Sequence, residues 1–284
     1  MSWARATAAA LLAAAVGPAA LAAQSYQTTT QARRLEGTAP FAVNVVYAAG
    51  QFRFAPGDPN QLYRVSATYD EDRFDPTITY RAEARVLDVN LSGRGRADGK
   101  NIDHSRQRLD LAVSPQAPVD LALRFGAAQA ELELGGLSLR RAHIETGASQ
   151  TTVSFSTPNR VACSDLSFNV GAAEFAVEKL GNSRCSAISL EGGVGRMVLD
   201  FTGEWAAGQD TRVTVSIRLG EVELRIPEGL GVRLDVDHFL AAVDRAGFVK
   251  RGAAYFTRDY DAAPVKIALD VSAVLGNIDV TWVR

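Results

Sequence analysis

One unit recurs along this chain: an alternating apolar and polar run, a glycine, then a second alternating run. Residues 121–125 lead to Gly126 and then 130–134; residues 143–146 lead to Gly147 and then 151–155. The pattern returns around Gly171, Gly193 and Gly220, more weakly around Gly276, and an earlier copy surrounds Gly50. From Gly126 to Gly220 the glycines are 21, 24, 22 and 27 residues apart. Alternation at period two marks a half-buried strand. A period of 20 to 30 residues marks a stacked array in which no unit buries its apolar face alone. The expected class is therefore all-β: stacked β-hairpin repeats, a β-solenoid or rack of strands. Each glycine is expected to turn one strand into the next, because it takes positive φ without steric cost. A β-sandwich with similar strands is the competing architecture.

Asp237 to Gly247 departs from the pattern and reads as a short helix. Asp237 can cap its start and Gly247 can close its end, with Phe239, Leu240 and Val243 on one face. It is expected to cover the last rung of the array. The aromatics Phe239, Phe248, Tyr255, Phe256 and Tyr260 gather in the same region, and core packing is their default role.

The first residues read as a leader. Arg5 and the amino terminus precede an apolar run from Ala6 to Val16, broken by Gly17 and Pro18; Ala20-Leu21-Ala22 then supplies the small residues of a signal-peptidase site. Residues 1–23 are therefore expected to be removed, leaving a chain of about 261 residues that is periplasmic or secreted. No later run is long and apolar enough for a membrane-spanning helix, so no transmembrane anchor is expected in the mature chain. Residues 24–38, polar and threonine-rich, read as a flexible leader.

The chain carries a formal charge of −2, about −3 once Arg5 is gone. That balance offers no general attraction to nucleic acid or to an anionic membrane. With 47% hydrophobic residues it can build a core. The two cysteines, Cys163 and Cys185, lie 22 residues apart, the distance from Gly171 to Gly193. If the repeats stack in register, both occupy one position on successive rungs, so a disulfide is expected in an oxidising compartment.

Motifs for chemistry are sparse. His104, His143 and His238 stand apart and match no metal-binding spacing. No Gly-x-Ser-x-Gly elbow or P-loop occurs; Gly192-Gly193-Val194-Gly195 lies between strands, where a phosphate cradle would need a helix start. Asp70, Glu71, Asp72 and Asp75 form an acidic turn without the spacing of a calcium loop. Arg94, Arg96, Lys100, Arg106 and Arg108 form a basic stretch that could meet phosphates or acidic glycans, but it lacks the aromatics that stack single-stranded nucleic acid. The outward residues of the copies, Arg124, Glu145, Asn169, Glu191 and Arg218, are mixed in charge and make no ladder of carboxylates. No catalytic site, no metal and no cofactor are expected.

Particular blocks resemble a known family. Residues 220–236, with Pro227, then Ala246-Gly247-Phe248, Gly252, Tyr255, Tyr260, residues 264–271 and Leu275-Gly276-Asn277-Ile278-Asp279-Val280 resemble the C-terminal domain of LiaF-type cell-wall-active antibiotic response proteins. Residues 45–54, Leu62-Tyr63, Tyr69-Asp70 and Asp75-Pro76 resemble the associated toast-rack domain. The resemblance spans Phe41 to Arg284 and divides the chain into a toast-rack-like region, 39–118, and a LiaF-like β-repeat domain, 119–284. It implies a non-catalytic structural, adhesin-like or interaction module of the cell envelope, whose partner is a protein or envelope component. Modulation of an envelope-stress sensor is a further implication, although LiaF-type members usually carry transmembrane helices. A glycan-binding or carbohydrate-active β-solenoid is the alternative.

Overall fold

A computed structural model of the chain describes residues 25–93 and 106–284. The expected signal segment, His104, Arg94, Arg96 and Lys100 lie outside the described residues. The strands are β1 (Tyr26–Arg34), β2 (Phe41–Pro56), β3 (Gln61–Asp70), β4 (Phe74–Arg81), β5 (Val86–Gly93), β6 (Arg108–Val113), β7 (Val119–Glu133), β8 (Leu139–Ser154), β9 (Cys163–Glu178), β10 (Cys185–Asp200), β11 (Thr211–Pro227), β12 (Gly231–Val243), β13 (Phe248–Arg251), β14 (Ala254–Thr257) and β15 (Lys266–Val283). They form one sheet in the order β1-β3-β6-β2-β7-β8-β9-β10-β11-β15-β12-β14-β13, with β5 beside β2 and β4 beside β5.

The all-β stacked-repeat architecture holds, with one correction to its unit. The two halves of each repeat do not pair with each other. They are the two arms of one long strand that bends at its middle: β7 to β11 run 15 to 17 residues each. Each bent strand pairs in parallel and in register with the next, from β2 through β7, β8, β9, β10, β11 and β15 to β12. Period-two alternation is the same for a hairpin and a bent strand, so the sequence pattern alone does not set the pairing direction.

Side chains of both arms meet inside the bend. On β10, Ile188, Leu190 and Gly192 are buried, and beyond the bend Met197 and Leu199 are buried. The step from 192 to 197 is odd, which turns the second arm so that it faces the same interior. In-register rows then fill that interior, for example Val45, Leu123, Ile144, Phe168, Leu190, Val215, Val271 and Val236. Burying one such side chain is worth about 1.5–3 kcal/mol. The segments between strands close a third side: Arg160 N donates to Leu137 O at 2.8 Å, Asn159 N to Asn182 O at 2.9 Å and Gly181 N to Thr202 O at 2.9 Å. Leu134, Leu137, Phe155, Leu180 and Phe201 seal the core from that side.

Two expectations about the ends are corrected. Tyr26–Arg34, expected to be flexible, is strand β1, antiparallel to β3. Cross-strand hydroxyl pairs, such as Thr28 Oγ1 to Thr68 Oγ1 at 2.9 Å, support it. The capping helix over Asp237 to Gly247 is absent. Residues 237–243 continue β12, which follows β15 with Leu240 opposite Leu275 and Val243 opposite Ile278. Pairing with an existing strand edge outweighs the local helical preference of this segment. The β13–β14 hairpin instead adds to the edge of β12, pairing Arg233 with Phe256 and Leu234 with Tyr255, and Phe248 packs on Trp282 of β15 with ring centroids 5.4 Å apart. A 3-10 turn lies at Leu180–Ser183, between β9 and β10. The sheet also runs unbroken across the expected boundary at 118/119, where β2 pairs with β7.

Candidate interaction surface

The outward side chains of the bent strands stand in rows across the rungs. On the first arm, Arg124, Glu145, Asn169, Glu191 and Ser216 share one row. Arg124 Nε pairs with Glu145 at 2.7 Å. Arg218, expected in this row, lies two residues beyond Ser216, at the bend. A hollow of about 570 Å³ lies over Glu145, Asn169, Glu191, Ser216 and Arg218, floored by Gly171 and Gly193. A parallel row joins Asp120, Arg141 and Asp165, with Asp120 held by Arg140 at 3.1 Å and by Arg141 at 2.9 Å.

On the second arm, Gln51, Gln129, Gln150, Glu174, Arg196 and Glu221 form another row. A hollow of about 450 Å³ lies over Gln51, Gln129, Gln150 and Thr152, beside Arg53 and Arg108. Glu223 receives both Arg196 and Arg225, each at 2.7 Å. The hydrogen bond from Arg225 is the main reason its carboxyl sits below the ordinary range, and Arg196 adds to it.

The expected turn glycines line the bend. Gly126, Gly147, Gly171 and Gly193 stack rung on rung without positive φ. A Cβ on Gly171 would lie 2.9 Å from Gly147 O, and one on Gly193 2.8 Å from Gly171 O. Close backbone approach, not a tight turn, excludes side chains there. A second column, Gly195, Gly220 and Gly276, does have positive φ, near 140°, and each glycine faces the next in register. Gly50 bends β2 with φ 120° over the buried Tyr47 hydroxyl. Burial, and secondarily the charge of Asp110, pushes that hydroxyl far above its ordinary pKa. The sequence reading missed Gly195; its 25-residue distance from Gly220 was the available signal.

Cys163 and Cys185 stand opposite each other on β9 and β10 and are joined, with Cα atoms 4.1 Å apart. His143 Nδ1 lies 2.9 Å from Ser167 Oγ in the exposed row next to Asp120 and Arg141. The pair sits on an open sheet face whose backbone amides are spent in ladders. Asp70 is buried, accepts Asp72 N at 3.1 Å and pairs with Arg73 at 3.6 Å, while Glu71 accepts from Ser25 and Gln27. The acidic turn is thus engaged in closing the β3–β4 connection. Among the described residues, no three His, Cys, Asp or Glu side chains are placed to share a metal. Phe256 packs edge-on to Tyr260 at 4.9 Å, with Arg251 over the Phe256 ring.

Residues 22–163 match the family described as the N-terminal domain of toast_rack. The chain belongs to the toast-rack family. Residues 175–280 of this toast-rack protein match a second family description, the C-terminal domain of the cell wall-active antibiotics response protein LiaF. Among solved structures, the toast-rack chain is similar to a protein provisionally assigned to cell adhesion from Clostridium sporogenes. The identity is 16%, with 90% of this chain and 100% of that chain covered, at a TM-score of 0.46. A protein provisionally assigned as an adhesin from Bacteroides fragilis is similar at 9% identity, covering 90% and 98%, with a TM-score of 0.37. A search of curated proteins finds no significant match.

Proposed function

We propose that this toast-rack protein is an exported, non-catalytic interaction module of the cell envelope. The observation that carries the reading is the pair of open outer faces. Each presents ordered rows of charged and amide side chains on a disulfide-linked stack, with open hollows over the rows. Such a surface suits binding to another macromolecule, because its contacts are extended and pre-organised. The disulfide suits an oxidising compartment. The family match of residues 175–280 to a cell wall-active antibiotics response protein supports the envelope as the setting. A role in envelope stress belongs to this reading by family analogy alone.

Crosslinking in intact cells followed by purification of the tagged chain tests it. An envelope protein or polymer captured by the native chain is expected. Its capture should fall when Glu145, Asn169 and Glu191 are replaced together by alanine. A chain found only in the cytoplasm, or one that turns over an ester or glycoside substrate, would overturn the reading.

A further inference from the structure

The bend of the strands carries an unexpected stripe. Seven large apolar residues among the described ones are exposed, and five of them fall at this one place: Val194, Leu219, Leu240, Val274 and Leu275. Val194 faces Leu219, Leu219 faces Leu275, and Leu275 faces Leu240. They are exposed by 48%, 42%, 43% and 64% in the order Val194, Leu219, Leu275 and Leu240. Toward the N-terminal rungs the same row continues with Ala172 and Ala148. The row stands on the outer side of the bend: Gly192 and Met197, which bracket it on β10, are both buried and in contact inside. An in-register ridge of aliphatic side chains is not what a chain exposes to water by chance.

The charges beside the ridge say what it fits. On β10, Glu191 lies on the first-arm side of Val194 and Arg196 on the second-arm side. On β11 the order is reversed, with Arg218 before Leu219 and Glu221 after it. All four are exposed. A two-fold axis along the ridge places the first-arm flank of each rung against the second-arm flank of the same rung in another copy. Glu191 then meets Arg196, and Arg218 meets Glu221, twice over by symmetry. An axis across the ridge would instead bring Glu191 toward Asp237, a like-charge contact. The mixed signs also argue against a bilayer, which selects for basic residues beside an inserted ridge.

We propose that this ridge is a self-association surface, and that its occupant is a second copy of the chain, related by a two-fold axis along the Val194–Leu219–Leu275–Leu240 row. Five aliphatic side chains fall short of the roughly 800 Å² per partner of a standard interface, so the dimer is weak and concentration-dependent. The inference stands apart from the envelope reading, since it concerns only contacts between copies.

Sedimentation velocity of the disulfide-bonded chain over a concentration series tests it, together with single-cysteine crosslinking. A concentration-dependent dimer is expected, weakened at least tenfold by Leu219→Asp and by Arg218→Glu. The Arg218→Glu, Glu221→Arg double exchange should restore it, because it keeps every cross-copy pair opposite in sign. Leu219 lies on the axis, so Leu219→Cys should give a covalent dimer on mild oxidation without the need for a second site. A native chain that stays monomeric throughout the series overturns the proposal, as does a dimer indifferent to these exchanges. A monomer that instead binds neutral lipid vesicles through the same leucines also overturns it.

Discussion

Cys163 and Cys185 sit opposite each other on adjacent parallel rungs, 22 residues apart in the chain, with their Cα atoms 4.1 Å apart. The bond ties β9 to β10 at the start of their first arms and closes a loop that contains the whole of β9 and the 3-10 turn. Replacing both cysteines by serine should lower stability by roughly 3 kcal/mol, the loop-closure value for a ring of this size. Denaturant unfolding of the two proteins checks it. Equal midpoints would mean that the rung contacts alone fix this part of the stack.

Gly220 and Gly276 also face each other, and a Cβ on either would enter the backbone of the preceding rung. Gly220→Ala should therefore cost about 3 kcal/mol or more, from a backbone region that only glycine tolerates combined with overpacking. Gly208 provides the comparison. It has φ 75° with open space around its Cα, so Gly208→Ala should cost only about 1 kcal/mol. Thermal unfolding of both variants, side by side, separates crowding from backbone conformation.

Glu223 supplies a pH signature. Its carboxyl is held below the ordinary value, chiefly by the hydrogen bond from Arg225. A depressed folded-state pKa contributes stability above the unfolded pKa and loses it as the pH falls through the folded value. Glu223→Gln should thus lower the melting temperature at pH 7, and the gap from the native chain should close as the pH is taken below the ordinary glutamate range toward the depressed folded value. A gap that is constant with pH would show that packing, not charge, is what the substitution removes.

The alternation of Leu121, Leu123 and Phe125 identifies a strand whether its partner runs parallel or antiparallel, so the strands were legible and their pairing was not. The spacing of Cys163 and Cys185 carries the rung length directly, because each precedes its bend glycine, Gly171 or Gly193, by eight residues. The glycines mark the bend correctly, but Gly126 and Gly171 are required for close stacking, a relation between rungs that no single unit displays. Tyr26–Arg34 reads as polar because β1 is an edge strand with one face open to water, and Asp237–Val243 reads as helical because Leu275 and Ile278, the residues that hold it extended, lie 35 residues away. The outer rows were partly legible: Arg124, Glu145, Asn169 and Glu191 do share a row, whereas register puts Ser216 where Arg218 was expected. The ridge from Val194 to Leu240 was not legible at all, since its members meet only once the register is known.

The bent strands stack in parallel and in register. Ser216 and Ser272 report on this most directly: they are 56 residues apart, yet their hydroxyl oxygens lie 2.8 Å apart on β11 and β15. The Ser216→Cys, Ser272→Cys double variant should form a second disulfide spontaneously, seen as a linked peptide pair by mass spectrometry under non-reducing conditions, with the Cys163–Cys185 pair retained. Two alkylatable thiols at 216 and 272 in the folded protein would contradict the parallel stack. They would point instead to strands that double back at Gly220, where residue 216 would pair within its own repeat.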